Sequence, residues 1–179
     1  MMKSLTHYIQ EKLIIKKKNN KYKYFPKTRE ELQDIILQRI KEEGNEVDLN
    51  DIDVSNITDM FSLFKETKFN GNISNWDVSN VTDMSFMFYD CKSFNQDISS
   101  WNVSNVKNMS LMFYDCKSFN QDISNWNVSS VTNMRCMFIN CINFNQDLSN
   151  WDVSNVTNYD EDMFKNCAIE EKYKPKFAK

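Results

Sequence analysis

The 179 residues suffice for one domain, and 41% hydrophobic with 26% charged residues is the balance of a folded chain, which excludes a disordered or collagen-like one. No run of about eighteen apolar residues occurs, which excludes a hydrophobic transmembrane helix. The net charge of −3 conceals a division: residues 1–46 carry eleven Lys/Arg against seven Asp/Glu, residues 47–166 seven against sixteen, and residues 167–179 four against two, so the acidic middle opposes nucleic acid.

The chain opens on MMKSLTHYIQEKLIIKKK, in which His7, Gln10, Glu11 and Lys12 interrupt any secretory apolar core, and the first cysteine is Cys91. A cytoplasmic location is expected. Ser4–Ile15 places Leu5, Tyr8, Ile9 and Leu13 near one face and predicts a short amphipathic helix. A basic link, KKKNNKYKYFPK, follows, which reads first as a solvated loop between two helices and otherwise as a contact for nucleic acid or an acidic protein. Thr28 with Glu31 is a capping-box start, Leu32, Ile35, Ile36 and Ile40 form a stripe, and Gly44 closes the helix. Residues 1–46 are therefore expected to be a helical N-terminal cap over a stack of repeats.

Those repeats dominate the chain. Trp76, Trp101, Trp126 and Trp151 fall 25 residues apart, as do Phe69, Phe94, Phe119 and Phe144. Three regular copies, starting at Trp76, Trp101 and Trp126, lie between irregular ones starting at Ile52 and Trp151. A period in this range predicts a solenoid, here of about five repeats over 47–167, followed by a basic tail over 168–179. Within one copy, Trp101 and Val103 alternate as on a short strand, and Met109, Met112, Phe113 and Cys116 take the i, i+3, i+4, i+7 spacing of a helix face. The expected fold is an α/β repeat: a short right-handed leucine-rich-repeat-like solenoid, with parallel strands on one face and short helices on the other. One copy buries too little to fold alone.

The string F-N-x-D-[IL]-S-x-W-[DN]-V-S-x-V-x-x-M-x-x-M-F-x-x-C, over about residues 50–167, resembles the repeat of BspA-like leucine-rich-repeat surface proteins and mycoplasma lipoproteins. The resemblance implies a binding or adhesion role and a concave strand face. A short version without a secretion signal fits an intracellular or virus-encoded binding protein.

Four columns of polar residues are candidates for function. Outward strand positions Asn75, Asp77, Ser79, then Ser100, Asn102, Ser104, then Asn125, Asn127, Ser129, then Asn150, Asp152, Ser154 form a grid suited to multipoint hydrogen bonding with a partner protein. Asn70, Asn95, Asn120 and Asn145 are expected to point inward and bond adjoining coils. Asp97, Asp122 and Asp147 would repel unless each accepts backbone N–H groups or they share a cation, and turn capping is the expectation because calcium-loop signatures are absent. Cys91, Cys116, Cys141 and Cys167 share one phase and read as reduced core thiols rather than disulfides or zinc ligands.

His7 is the single histidine and lies outside the repeats, so no nucleophile–histidine pair can be assembled within them, and no catalytic residue, metal or cofactor is assigned. The leading expectation is a non-enzymatic protein–protein interaction module. Alternatives are an acidic decoy that blocks a basic nucleic-acid-binding site, a glycan-binding or adhesion protein, and, third in rank, an acid–base enzyme using the Asp column.

Overall fold

The computed structural model describes residues 21–159 and 161–177, so the segment Ser4–Ile15 lies outside it. Thr28 is extended (φ −131°, ψ 163°) and its hydroxyl accepts the Glu31 N–H at 3.2 Å, which starts helix α1, Arg29–Glu43. The Glu31 carboxylate accepts the Lys27 N–H at 2.8 Å, one residue upstream of the position that a capping box uses. Gly44 ends the helix at φ 92°, a conformation that a Cβ would strain. Leu32, Ile35 and Ile36 are buried. Polar ties fix α1 across the first coil: Arg29 to the Phe61 carbonyl at 3.1 Å, and Arg39 to Asp51 at 2.9 Å and the Asp48 carbonyl at 3.0 Å. Burial opposes the Arg39 charge, yet Glu43 and Asp51 hold its pKa above the ordinary range.

Behind α1 the repeats stack in register. The rings of Trp76, Trp101 and Trp126 lie 6.4 and 6.5 Å apart with planes within 3°, and Phe88, Phe113 and Phe138 lie 5.6 Å apart. Each indole N–H donates to a carbonyl of the preceding coil, Trp101 to Ile73 and Trp126 to Ile98, at 3.2 and 3.1 Å. Phe94, Ile98, Trp101, Val103, Val106, Met109, Met112, Phe113 and Cys116 are all buried, as their pattern predicts. They join one hydrophobic cluster that runs from Leu32 to Ile169. Gly71 is required by space alone, since a Cβ there would stand 2.0 Å from the Val47 carbonyl oxygen.

The expected α/β architecture is overturned. Among the described residues there is no strand or sheet, α1 is the sole α-helix, and the leucine-rich-repeat-like arrangement of strands against helices does not form. Coils meet instead at isolated parallel bridges that join Asp59, Asp83, Asn108, Asn133 and Asn158 in succession, six residues beyond the expected strand centre at Asn102. Around Trp101 and Val103 the backbone turns: the Trp101 N–H donates to Ile98 O and the Val106 N–H to Val103 O.

The segment Met109–Cys116, expected to be helical, alternates between two kinds of bond. The N–H groups of Met109, Leu111, Phe113 and Asp115 donate to Asn133, Arg135, Met137 and Ile139 of the next coil at 2.8 to 3.1 Å. Those of Met112, Tyr114 and Cys116 close turns on Met109, Leu111 and Phe113. The turns require left-handed residues, Leu111 at φ 55° and Asp115 at φ 56°, repeated at Phe86 and Asp90 and at Cys136 and Asn140.

The reason is spacing. A helix is about 10 Å across and keeps its hydrogen bonds to itself, so helices cannot stack one per coil where equivalent rings are 5.6 Å apart. The turned backbone is thinner and gives every second N–H to a neighbour. Each left-handed residue costs about 1–2 kcal/mol, which those bonds and the buried rings offset. Two successive turns also send i, i+3, i+4 and i+7 inward, so the helical reading of that spacing had a competitor.

Both ends of the stack are covered. Tyr24 bridges to Ile52, and the Lys23 N–H donates to Asp51 O at 2.7 Å. At the other end the Leu148 N–H donates to Tyr173 O, Pro175 is buried, and Phe177 stacks on Tyr159 at 4.2 Å.

Candidate interaction surface

The structure places the predicted polar grid on the surface, where several of its side chains bond within the fold. Asp77 accepts the Ser79 N–H at 3.1 Å and the Ser79 hydroxyl at 2.6 Å. Asn102 accepts the Ser104 N–H, Asn127 the N–H and hydroxyl of Ser129, and Asp152 the Ser154 N–H. These are Asx turns, the local competitor to a strand. The Ser79 and Ser129 carbonyls then accept the side-chain amides of Asn105 and Asn155 from the next coil, both at 2.7 Å. Ser100 donates its hydroxyl to Ser74 O, and the Asn75 N–H donates to the Asn50 side chain, while Asn125 and Asn150 stand exposed.

The other columns follow the same logic. Asp97, Asp122 and Asp147 accept the N–H of Ser99, Ser124 and Ser149, each at 2.9 Å, and the serines hold all three carboxyls below the usual range. The carboxylates therefore cap turns, as expected. The Oδ1 atoms of Asn70, Asn95 and Asn120 each accept the N–H of the next asparagine in the column, so they bond the adjoining coil from the surface rather than from inside.

Cys91, Cys116 and Cys141 are buried free thiols whose S–H groups donate to carbonyls of Phe69, Phe88 and Phe113. Burial pushes Cys91 up to about 11 and the other two well above the ordinary thiol range. Cys167 is half-buried. Among the described residues no three His, Cys, Asp or Glu side chains converge to hold a metal ion.

The most distinctive surface lies on the side that was expected to be helical. Left-handed backbone at Phe86, Leu111 and Cys136 turns these side chains out of the core to half-exposed positions, and Phe61, 41% exposed, leans onto Phe86 at 5.6 Å. Beside them runs a second column, Tyr89, Tyr114 and Ile139, also half-exposed, with the tyrosines stacked at 4.8 Å. Lys65 lies over both Phe86 and Tyr89, at 5.8 and 5.3 Å. Charges rim this apolar stripe. Lys92 bridges Asp90 at 3.0 Å and Asp115 at 3.7 Å, holding Asp90 low while burial pushes Asp115 up.

The sequence reading missed the stripe. The available signal was Phe86 and Leu111 themselves: two residues after each first methionine, they are apolar residues off the face shared by Met, Phe and Cys.

Among the described residues no helix is long and apolar enough to cross a membrane. No curated protein and no solved structure matched the chain. The family model described as "Mycoplasma protein of unknown function, DUF285" matches residues 35–138 and again 112–174, an overlap that a repeating sequence permits. The two matches together run from within α1 to beyond the last tryptophan, and the chain belongs to this family, which is associated with BspA-like repeat proteins.

Proposed function

We propose that the protein is a non-enzymatic interaction module that docks a partner protein along the apolar stripe of Phe61, Phe86, Leu111, Tyr89 and Tyr114. The observation that carries this reading is the outward turn of large apolar side chains on a rigid, register-locked backbone, at the energetic cost of left-handed Phe86 and Leu111. Aromatic and aliphatic side chains at the centre with charged residues at the rim form the composition of interface hot spots. The polar grid around Asn102 and Asn127 is a weaker docking face, because the side-chain oxygens of these two residues each already accept a serine N–H within the protein.

The test compares two double variants in quantitative affinity capture. Phe86→Ser with Leu111→Ser is expected to abolish enrichment of the specific partners, and Asn102→Gln with Asn127→Gln to leave it within about twofold. Capture that survives the first change and is lost with the second would move the interface back to the polar grid.

A second reading is supported by the exposed Asp97, Asp122 and Asp147, whose lowered pKa values keep them charged: an acidic decoy for a basic nucleic-acid-binding site. It requires capture that weakens steeply with salt and is competed by DNA. Salt-insensitive capture rejects it.

A further inference from the structure

Charge is unevenly spread over the repeats, and the stripe lies where the basic residues gather. We propose that the stripe takes an acidic amphipathic helix of the partner, with apolar anchors on Phe86, Leu111 and the tyrosine column and carboxylates on the lysine column of Lys68, Lys92 and Lys117. The inference rests on the docking reading and adds to it the chemistry of the partner.

Charge is the first argument. Residues 47–166 carry seven Lys/Arg, and five of them border the stripe. Lys65 lies over Phe86 and Tyr89, Arg135 precedes Cys136, and Lys92 bridges Asp90 and Asp115, the residues that follow Tyr89 and Tyr114. Lys117 and Lys68 hold the position of Lys92 on the coils to either side: Lys117 is 25 residues on, and Thr67, just before Lys68, meets Cys91, just before Lys92, at 3.5 Å. The carboxylates in these columns are Glu66, Asp90 and Asp115, so the strip holds five positive charges against three, in repeats that carry seven against sixteen. Lys68 is exposed and forms no ion pair among the described residues. Lys92 and Lys117 are 53% and 47% exposed, and an ammonium has three N–H donors, so both retain donors beyond those that meet Asp90 and Asp115.

The backbone is the second. Each N–H from Met84 to Cys91 and from Met109 to Cys116 already donates within the stack, so an extended peptide finds no donors here to pair with as a strand. A helix satisfies its own backbone. Its turn rises about 5.4 Å, close to the 5.6 Å from Phe61 to Phe86 and the 4.8 Å from Tyr89 to Tyr114, so one apolar anchor meets each coil.

Ring geometry is the third, and it separates this partner from single-stranded nucleic acid. A base held between two rings needs them about 7 Å apart, twice an optimal van der Waals contact. Tyr89 and Tyr114 lie 4.8 Å apart with planes within 7°, so their facing sides cover each other and leave no slot for a base.

The test is selection from a random library of helical peptides on the immobilised full chain, followed by affinity measurements. Selected peptides are expected to be acidic, to bind at least about tenfold more weakly with their Asp and Glu changed to Asn and Gln, and to weaken by a similar factor on Lys68→Glu with Lys117→Glu. Binding is also expected to be lost on Phe86→Ser with Leu111→Ser, whose fold is checked by near-UV circular dichroism of the stacked tryptophans. Leu111→Asn, at a left-handed position that asparagine tolerates, gives the same readout with less risk to the fold. Stripe-dependent peptides that are neutral or basic overturn the acidic partner and leave the docking reading standing. Acidic peptides whose binding ignores both stripe variants overturn the docking reading and this inference with it. A library that yields no stripe-dependent peptide, while partner capture still needs Phe86 and Leu111, overturns this inference alone. Single-stranded DNA binding that is lost with Lys68→Glu and Lys117→Glu assigns the strip to nucleic acid, and a stripe-dependent dimer in sedimentation assigns it to a second copy; either result overturns the acidic helix.

Discussion

Cys91, Cys116 and Cys141 donate their S–H groups to backbone carbonyls in a buried column, so ionising any of them removes a donor and buries a charge. The folded Cys91 thiol titrates near 11 against an ordinary value of 9.0, so the folded state holds its proton more tightly than the unfolded state does. That stabilisation is intact below pH 9 and is lost as pH rises through 11. The urea midpoint is expected to fall over this window, with a shallower fall in Cys91→Ala; an identical slope in both would exclude the thiol as a source. Below pH 9 the three thiols are expected to resist iodoacetamide until the chain unfolds. The carboxyls of Asp97, Asp122, Asp147 and Asp152 work in the opposite direction. Their pKa values are lowered by serine donors, so their contribution is present above the unfolded carboxylate pKa and is lost as pH falls below about 4.

At the scale of an element, four successive coils carry paired left-handed residues and the last described coil a single one, Asn166. The second of each pair is Glu66, Asp90, Asp115 or Asn140, and of these and Asn166 all but Glu66 are of the type that tolerates this conformation. Glu66 contributes an exposed ion pair with Lys65 at 3.4 Å, worth little. Glu66→Asn is therefore expected to stabilise the protein by up to about 1 kcal/mol in urea denaturation. An unchanged or lower midpoint would show that left-handed strain at this position is negligible. In α1, Thr28→Ala removes the acceptor for the Glu31 N–H and is expected to cost about 1 kcal/mol. That loss would be recovered in part by Thr28→Ser, which restores a hydroxyl.

For the whole molecule the unit of construction is a coil whose bonds point to equivalent groups 25 residues away. Asn120 accepts the Asn145 N–H just as Asn95 accepts the Asn120 N–H, so one regular coil can be removed and the partners on either side still match. Deletion of residues 101–125 is expected to leave a cooperative, thermally weaker fold with the same tryptophan near-UV signal, whereas deletion of 101–124 shifts every ladder by one residue and is expected to abolish it. Equal behaviour of the two deletions would contradict register-locked stacking. Phe113 lies between Phe88 and Phe138, and against Phe119 at 4.1 Å, so Phe113→Ala is expected to cost about 3–5 kcal/mol in the same assay.

The amino-acid sequence by itself determined the period, the inward residues of each coil, helix α1 with its cap and stop, the turn-capping aspartates and the reduced thiol column, because each depends on local chemistry or on a pattern that any stacked geometry preserves. It did not determine how the backbone runs between the inward residues. Spacing of i, i+3, i+4 and i+7 fits a helix face and also two successive turns, and alternation at Trp101 and Val103 fits a strand and also an Asx turn. Tertiary stacking decided both. With equivalent rings 5.6 Å apart, the backbone gives alternate N–H groups to the next coil, and it meets that demand by turning left-handed at Phe86 and Leu111. The same choice turned those two side chains outward, so the half-exposed apolar stripe followed from how tightly the coils stack.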